Sequence, residues 1–174
     1  MSDQKIDYPY LPEGRTILYV PEDNPYMQKA RKIMRERATD WNHPTGAVVV
    51  LDGQIIGLAA DRSRLKSKKL LRLHKKGLCI RKFFKTPSGK RYWLCPGCSL
   101  PQHHAEPLAV KDARKHQTSI EGGDLYLYGH WWCCKPCWDT IIKTGIKNVY
   151  LMEGSYKLFN KSNPTNIVGR DFEL

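Results

Sequence analysis

The stretch that decides the fold is GGDLYLYGHWWCCKPCWDTIIKTGIKNVYLM, residues 122–152. Its two apolar runs, at 124–128 and 148–152, have the length of strands, and glycines introduce the first of them. The segment between them predicts a helix from about Cys134 to Lys143 that stops at Gly145. A strand, a helix and a second strand in this order favour parallel strands covered by a helix, which indicates a layered α/β domain.

The region before this stretch adds a helix, a β-hairpin and another helix. Asn24 followed by Pro25 predicts the N-cap and first turn of an amphipathic helix. Two apolar runs joined by Asp52-Gly53 predict the hairpin. A further helix is predicted to begin near His104. Because a hairpin is antiparallel and helix-linked strands run parallel, the sheet is predicted to be mixed.

Length and composition indicate one globular domain over residues 1–174 with a real apolar core. The apolar runs are far below the roughly 20 residues of a membrane helix, so no membrane partner is expected. Residues 1–20 are expected to pack as an irregular arm, and they show no signal peptide, so the expected location is cytoplasmic. In a reducing compartment, close-set cysteines are more often metal ligands than disulfides.

The net charge of +12 is concentrated in an insertion at about 62–103, between the hairpin and the second helix. From Arg62 to Arg91 there are 13 Lys/Arg and no acid, while the rest of the chain is nearly neutral. A basic surface element of this kind suits a nucleotide or a nucleic acid as partner, the latter through residues 62–91. A solvated basic loop without a partner is the alternative.

Two short motifs at predicted helix starts carry the chemistry. The first is His104-Ala105-Glu106, and the second contains Cys134 and Cys137, spaced i and i+3 on one helical face. One histidine and two thiolates leave the fourth tetrahedral position of zinc open, which is typical of a catalytic site. Zinc lowers the pKa of bound water to about 7, and Glu106 is placed to move its proton.

H-x-E with a downstream C-x-x-C is the signature of zinc-dependent nucleobase deaminases. The blocks GAVVVLDGQIIG, HAEPLAV, GGDLYLYGHWWCCKPC and IIKTGIKNVYL resemble, in order, those of the cytidine and deoxycytidylate deaminase superfamily. The segment LCIRKFFKTPSGKRYWLC resembles the insertion of the deoxycytidylate (dCMP) deaminases. The resemblance covers about 45–152.

The resemblance implies a three-layer α/β/α fold with a central mixed sheet of about five strands, and a homo-oligomer. It also implies that His104, Cys134 and Cys137 are the zinc ligands and Glu106 is the proton shuttle. Three features depart from the family pattern. Cys133 occupies the place of a proline, residues 107–109 replace Asn-Ala, and Asp61 lies near the place of an asparagine that contacts the sugar.

A second set of cysteines lies in the insertion. Cys95 and Cys98 have zinc-knuckle spacing, and with Cys79 and one histidine they make four ligands for a structural zinc. His103 or His74 is the fourth ligand in this interpretation. Such a staple explains how a basic segment with few apolar residues keeps a defined shape. Free buried thiols are the alternative.

The leading hypothesis is hydrolytic deamination of a pyrimidine nucleotide, dCMP to dUMP with release of ammonia. Alternatives are a deaminase acting on a base in RNA or single-stranded DNA, and a non-catalytic zinc module that binds nucleic acid. In the leading hypothesis a small set of residues contacts the substrate, with the arginines on its phosphate: Ala105, Trp132, Asp61, Arg81 and Arg91.

Overall fold

The computed structural model of the protein describes residues 6–87 and 89–172. Residues 1–5 of the expected arm, Ser88 within the insertion and residues 173–174 lie outside the described residues. Five strands form one sheet in the order β1-β5-β4-β2-β3. They are β1 (Ile17–Val20), β2 (Gly46–Leu51), β3 (Gln54–Ala60), β4 (Asp124–Tyr128) and β5 (Asn148–Met152). The strands β1, β5 and β4 run parallel, and β2 is antiparallel to β4 and β3, so the sheet is mixed as predicted.

The helices cover both faces of the sheet and complete three layers. They are α1 (Pro25–Arg37), α2 (Lys68–Lys75), α3 (Ile80–Phe83), α4 (Ala105–His116), α5 (Lys135–Lys143) and α6 (Ser155–Phe159). One apolar core lies under α1 and α6, and the other under α4 and α5. The predicted α/β fold with about five strands is therefore confirmed.

The local signals behave as the sequence predicts. The Asn24 side chain accepts hydrogen bonds from the backbone N–H groups of Tyr26 and Met27, which caps α1. Asp52 and Gly53 take positive φ angles of 49° and 76°, as a two-residue hairpin turn requires. Among the described residues, no helix is long and apolar enough to cross a membrane.

The expectation of an irregular arm at residues 1–20 is wrong for its last part, which forms β1 at the edge of the sheet. Ile17 pairs with Val149 of β5, and the parallel ladder continues to Val20. Only Ile17 of the four strand residues is buried, so the stretch lacks an alternating pattern that would reveal it. The short helix α6 was likewise not predicted from the weak pattern of the last twenty residues.

A very close contact between β3 and α4 positions that helix. A Cβ added to Gly57 of β3 would lie 2.4 Å from the Ala109 carbonyl oxygen and 2.5 Å from the Ala113 nitrogen, both in α4. The absence of a side chain at position 57 therefore sets how near α4 lies to the sheet, and with it the position of the helix start that carries the His-Ala-Glu motif.

We expect Gly57→Ala to lower the free energy of unfolding by about 1–3 kcal/mol, because the new methyl group forces α4 away from the sheet. Thermal denaturation measures this loss, and zinc affinity should fall with it. Gly154→Ala is the control, because its added Cβ meets nothing within 4 Å and causes only backbone strain at a φ of 73°. Equal zinc affinity in the two variants would contradict the positioning role of Gly57.

Candidate active site

The starts of α4 and α5 lie side by side and bring three metal-ligand atoms together. His104 is the N-cap residue of α4, Cys134 is that of α5, and Cys137 lies in the first turn of α5. His104 Nδ1 is 3.5 Å from Cys134 Sγ and 3.4 Å from Cys137 Sγ, and the two sulfurs are 3.3 Å apart. The structure thus unites residues that are thirty positions apart in the chain.

These distances are close to those around one tetrahedral zinc ion, with the two sulfurs a few tenths of an ångström nearer to each other. Zinc binds thiolate sulfur at about 2.3 Å and imidazole nitrogen at about 2.0 Å, so the ligand atoms of a tetrahedral site lie about 3.5–3.8 Å apart. The chemistry of the donor set, two thiols and one imidazole, also suits zinc. All six cysteines are free, so no disulfide competes for them.

The thiol pair is poised to carry one negative charge, on Cys134. Hydrogen bonding with Cys137 is the main cause that lowers the pKa of Cys134 to about 5, and the contact with His104 assists. The same hydrogen bond, now seen from Cys137, and then burial raise the pKa of Cys137. Although burial opposes it, the contact with Cys134 and the charge of Glu106 raise the pKa of His104. A divalent cation here would meet a site that already favours negative charge.

Glu106 is buried in the first turn of α4 and faces the same cavity. Burial raises its pKa, and the charge of His104 opposes that shift. The neighbouring Cys133 is fully buried, and its thiol lies within the electrostatic influence of the Glu106 carboxylate. Burial, and then the charge of Glu106, keeps the pKa of Cys133 far above its ordinary value, so it is a neutral thiol beside Glu106. Cys133 is therefore a contact of Glu106, in the place where the family pattern has proline.

A cavity of about 230 Å³ opens beside these groups. His43 and His130 form a stacked pair on its wall, with ring centroids 4.3 Å apart and planes 8° apart. Burial lowers the pKa of His130 to about 3 and that of His43 well below its ordinary value, so both rings are neutral. The other lining side chains include charged residues of both signs: Asp40, Asp61, Arg81, Lys82 and Lys161.

Three of the five predicted substrate contacts lie at this cavity, namely Asp61, Arg81 and Trp132. Ala105 is fully buried in the core below α4 and does not line it. Arg91 does not line the cavity either, because its side chain is exposed to solvent. The next residue, Tyr92, lines the cavity instead.

Sequence reasoning missed the stacked histidines, Asp40 and Lys161. His43 precedes a proline at the start of β2, and Lys161 follows α6 at the other end of the chain. Single polar residues in loops carry no periodic signal. Only the approach of these loops in the folded chain brings the residues to the site.

The second predicted set also comes together in space. His74, Cys79, Cys95 and Cys98 are all buried, and their ligand atoms lie within 4.8 Å of one another. Cys98 Sγ is 3.7 Å from Cys79 Sγ and 3.7 Å from His74 Nε2, distances that suit tetrahedral zinc.

Of the two histidines considered as fourth ligand, the structure places His74 and not His103 with the thiols. Asn42 holds the His74 ring, its side-chain nitrogen 2.9 Å from His74 Nδ1. His103 lies instead in the short turn Pro101–His103 that leads into α4, and its carbonyl oxygen accepts a hydrogen bond from the Arg62 N–H.

Asp61 is buried beside a second buried carboxyl, that of Asp40. The Thr45 N–H donates to Asp61 at 3.2 Å, and the Ser99 N–H donates to Asp40 at 2.9 Å. Burial and then the charge of Asp40 raise the pKa of Asp61 well above its ordinary value. A protonated Asp61 both donates and accepts hydrogen bonds, as the asparagine of the family pattern does.

We expect Asp61→Asn to raise the melting temperature at pH 7. A carboxyl whose pKa is raised by folding binds more protons in the folded state than in the unfolded state. The free energy of unfolding therefore falls as pH rises above about 4. The side-chain amide of the variant does not titrate, so the variant avoids this loss. The advantage of the variant should shrink as pH is lowered to 4, measured by thermal denaturation. Asp139→Asn, at an exposed site on α5, is the control. An advantage independent of pH would contradict the raised pKa.

The family model described as the cytidine and deoxycytidylate deaminase zinc-binding region matches residues 21–153. Curated protein sequences give no match.

Solved structures give matches of low identity. A diaminohydroxyphosphoribosylaminopyrimidine deaminase/5-amino-6-(5-phosphoribosylamino)uracil reductase from Thermotoga maritima is 24% identical, with a TM-score of 0.41. The match covers 72% of this chain and only 28% of that one. The apo dCMP deaminase from the cyanophage S-TIM5 is 22% identical, with a TM-score of 0.46, over 78% of this chain and 87% of that one. A chain from work on A-to-I editing by tRNA:A34 deaminases is 20% identical, with a TM-score of 0.33, over 62% and 60%.

Proposed function

The chain belongs to the cytidine and deoxycytidylate deaminase family, and on that premise we propose that it deaminates a pyrimidine nucleotide, converting dCMP to dUMP and ammonia. The observation that carries the proposal is the placement of Glu106 with His104 and Cys134 at one cavity, where Cys137 completes the three-ligand cluster. A zinc site that only stabilises a binding module normally has four protein ligands and needs no carboxyl beside it. Three ligands with a buried carboxyl nearby are typical of a catalytic site. A homo-oligomer, implied by the family resemblance, is part of the same proposal.

In this proposal His104, Cys134 and Cys137 hold the zinc, which when bound supplies an activated water at neutral pH. Glu106 takes a proton from the attacking water and delivers protons to the ring nitrogen and the departing amine. Its raised pKa suits a group that must accept a proton and then donate it again.

The cavity wall supplies groups for the remainder of a nucleotide. Trp132 lines the cavity, and in this proposal its ring contacts the base. Arg81 is held in place by its own contacts, because its Nε donates to the Lys90 carbonyl oxygen and its guanidinium lies 4.1 Å from the centre of the Tyr92 ring. With Lys82 it presents positive charge to a phosphate.

A second candidate function is deamination of a base within RNA or single-stranded DNA. The observation in its favour is that Arg81 and Lys82, on the cavity wall, belong to the basic insertion. A strand held by that insertion would pass the cavity.

We expect the purified protein to release ammonia from dCMP and not from oligonucleotides, in a panel with CMP, deoxycytidine and guanine. Glu106→Gln should reduce this rate by roughly 10²–10⁴-fold and leave zinc content unchanged, because the shuttle is not a ligand. Glu121→Gln, exposed and remote, is the matched control. If ammonia were released from oligonucleotides and not from dCMP, the second candidate function would replace the first. If Glu106→Gln kept full activity, both candidate functions would be wrong.

We also propose a second, structural zinc held by His74, Cys79, Cys95 and Cys98, so the protein should contain two zinc ions per chain. His74→Ala should reduce the content to one, because the buried thiols lose their fourth ligand. His103→Ala, which exchanges the histidine that lies outside this cluster, should retain two. Elemental analysis of the purified variants measures both. A single zinc ion in the unchanged protein would remove the structural site from the proposal.

A further inference from the structure

The insertion exposes an unusual amount of apolar surface. Twelve large hydrophobic residues are exposed among the described parts of the chain, and seven of them lie between residues 70 and 93. They are Leu70, Leu73, Leu78, Ile80, Phe83, Phe84 and Trp93. Large apolar side chains gathered in one exposed segment mark an interaction site rather than ordinary surface.

Three aromatic rings dominate this surface. Phe83 is 81% exposed, Trp93 66% and Phe84 63%. The two phenylalanine rings meet edge to face with centroids 5.2 Å apart. The helix α3, which ends in Phe83, packs against the short turn Tyr92–Leu94 that carries Trp93. The rings therefore lie on two neighbouring elements. We name Phe83, Phe84 and Trp93 the aromatic platform.

Positive charge surrounds the aromatic platform. Residues 62–91 carry 13 Lys/Arg and no Asp or Glu, and Lys82, Lys85, Lys90 and Arg91 next to the rings are exposed. If two copies of this face met across a twofold axis, these charges would oppose one another. The charge instead complements a polyanion.

The arrangement also distinguishes among polyanions. A membrane-surface element usually places its apolar residues on one face of a long helix, but here they are divided among α2, α3 and the loops after them. A duplex has its bases stacked inside and offers exposed aromatic rings no partner. Unpaired bases have free faces, and aromatic rings interleaved with cations are the usual surface for them.

We propose that the aromatic platform and the cations around it bind single-stranded RNA or DNA, with bases stacked on the rings and phosphates on the lysines and arginines. The surface adjoins the cavity, because Lys82 and Tyr92 line the cavity and are the immediate chain neighbours of Phe83 and Trp93. A bound strand therefore passes the cavity mouth. This binding does not rest on the proposed deamination of dCMP and holds whether or not mononucleotides are turned over.

The test is fluorescence anisotropy with labelled 15-nucleotide strands of RNA and DNA, a matched duplex and a salt series. We expect the single strands to bind more tightly than the duplex. Trp93→Ala and Phe83→Ala should each weaken strand binding about tenfold, since stacking contributes 1–3 kcal/mol per base. Phe83→Leu keeps the apolar surface but loses the ring face, so it should not restore binding, whereas Trp93→Tyr should restore most of it.

Charge and fold have their own controls. Lys85→Gln should lower the slope of log affinity against log salt by about 0.7, the value for one phosphate contact on a single strand. Ile142→Ala removes an equally apolar exposed side chain from α5 and should change nothing. Release of ammonia from dCMP should be the same in Phe83→Ala as in the unchanged protein, so a failure of binding and a failure of the proposed activity are separate results.

Three outcomes would overturn the proposal. The first is duplex binding as tight as strand binding, which would indicate charge alone. The second is unchanged strand affinity in the platform variants. The third is a protein that binds no strand but dimerises, or binds anionic phosphatidylserine vesicles, in a manner abolished by Trp93→Ala, which would assign the platform to a different partner.

Discussion

The site depends on the separation of two helix starts, those of α4 and α5, which must place an imidazole and two thiols within about 3.5 Å of one another. Packing against the same face of the sheet fixes this separation: α4 reaches the sheet through the missing side chain at Gly57, and α5 follows β4 through a short loop. Helix starts also offer free N–H groups and the positive end of the dipole, which favour thiolate. The fold therefore sets both geometry and charge.

The insertion depends on a different constraint. Among its described residues, the insertion has one small buried cluster of its own. This cluster consists of Cys79, Cys95 and Cys98, and the partly buried Tyr92 packs against them. Thirteen cations repel one another, and so small a core offsets little of that cost. A metal ion on the thiols and His74 would supply the missing stabilisation. The insertion is also a wall of the cavity, since Arg81 contacts both Cys98 Sγ and the Tyr92 ring. The Tyr92 ring also contacts the His104 ring edge to face. Tyr92 therefore connects the thiol cluster of the insertion with the one at the starts of α4 and α5.

The cavity is electrostatically mixed. Its histidine pair is neutral, its buried Asp61 favours the protonated form, and its rim is positive. Neutral donors and acceptors suit the uncharged parts of a nucleotide, while the rim suits a phosphate. The same rim leads outward to the aromatic platform. The proposed mononucleotide chemistry inside and the proposed strand binding outside would thus draw on adjacent parts of one insertion.

The sequence by itself determined the local elements and the reactive groups. The Asn24 cap, the Asp52-Gly53 turn and the strand-helix-strand stretch at 122–152 are set by short-range chemistry, and the two cysteine spacings depend on neighbours in the chain. Only the tertiary structure decided which distant groups meet. In the folded chain His74, and not His103, lies with the second set of thiols, and Arg91 lies away from the cavity. The strand β1 pairs with β5. Asp40, His43 and Lys161 reach the cavity from separate loops. The reason is physical: periodicity and capping act over a few residues, whereas these contacts depend on how loops approach after the sheet and helices have packed.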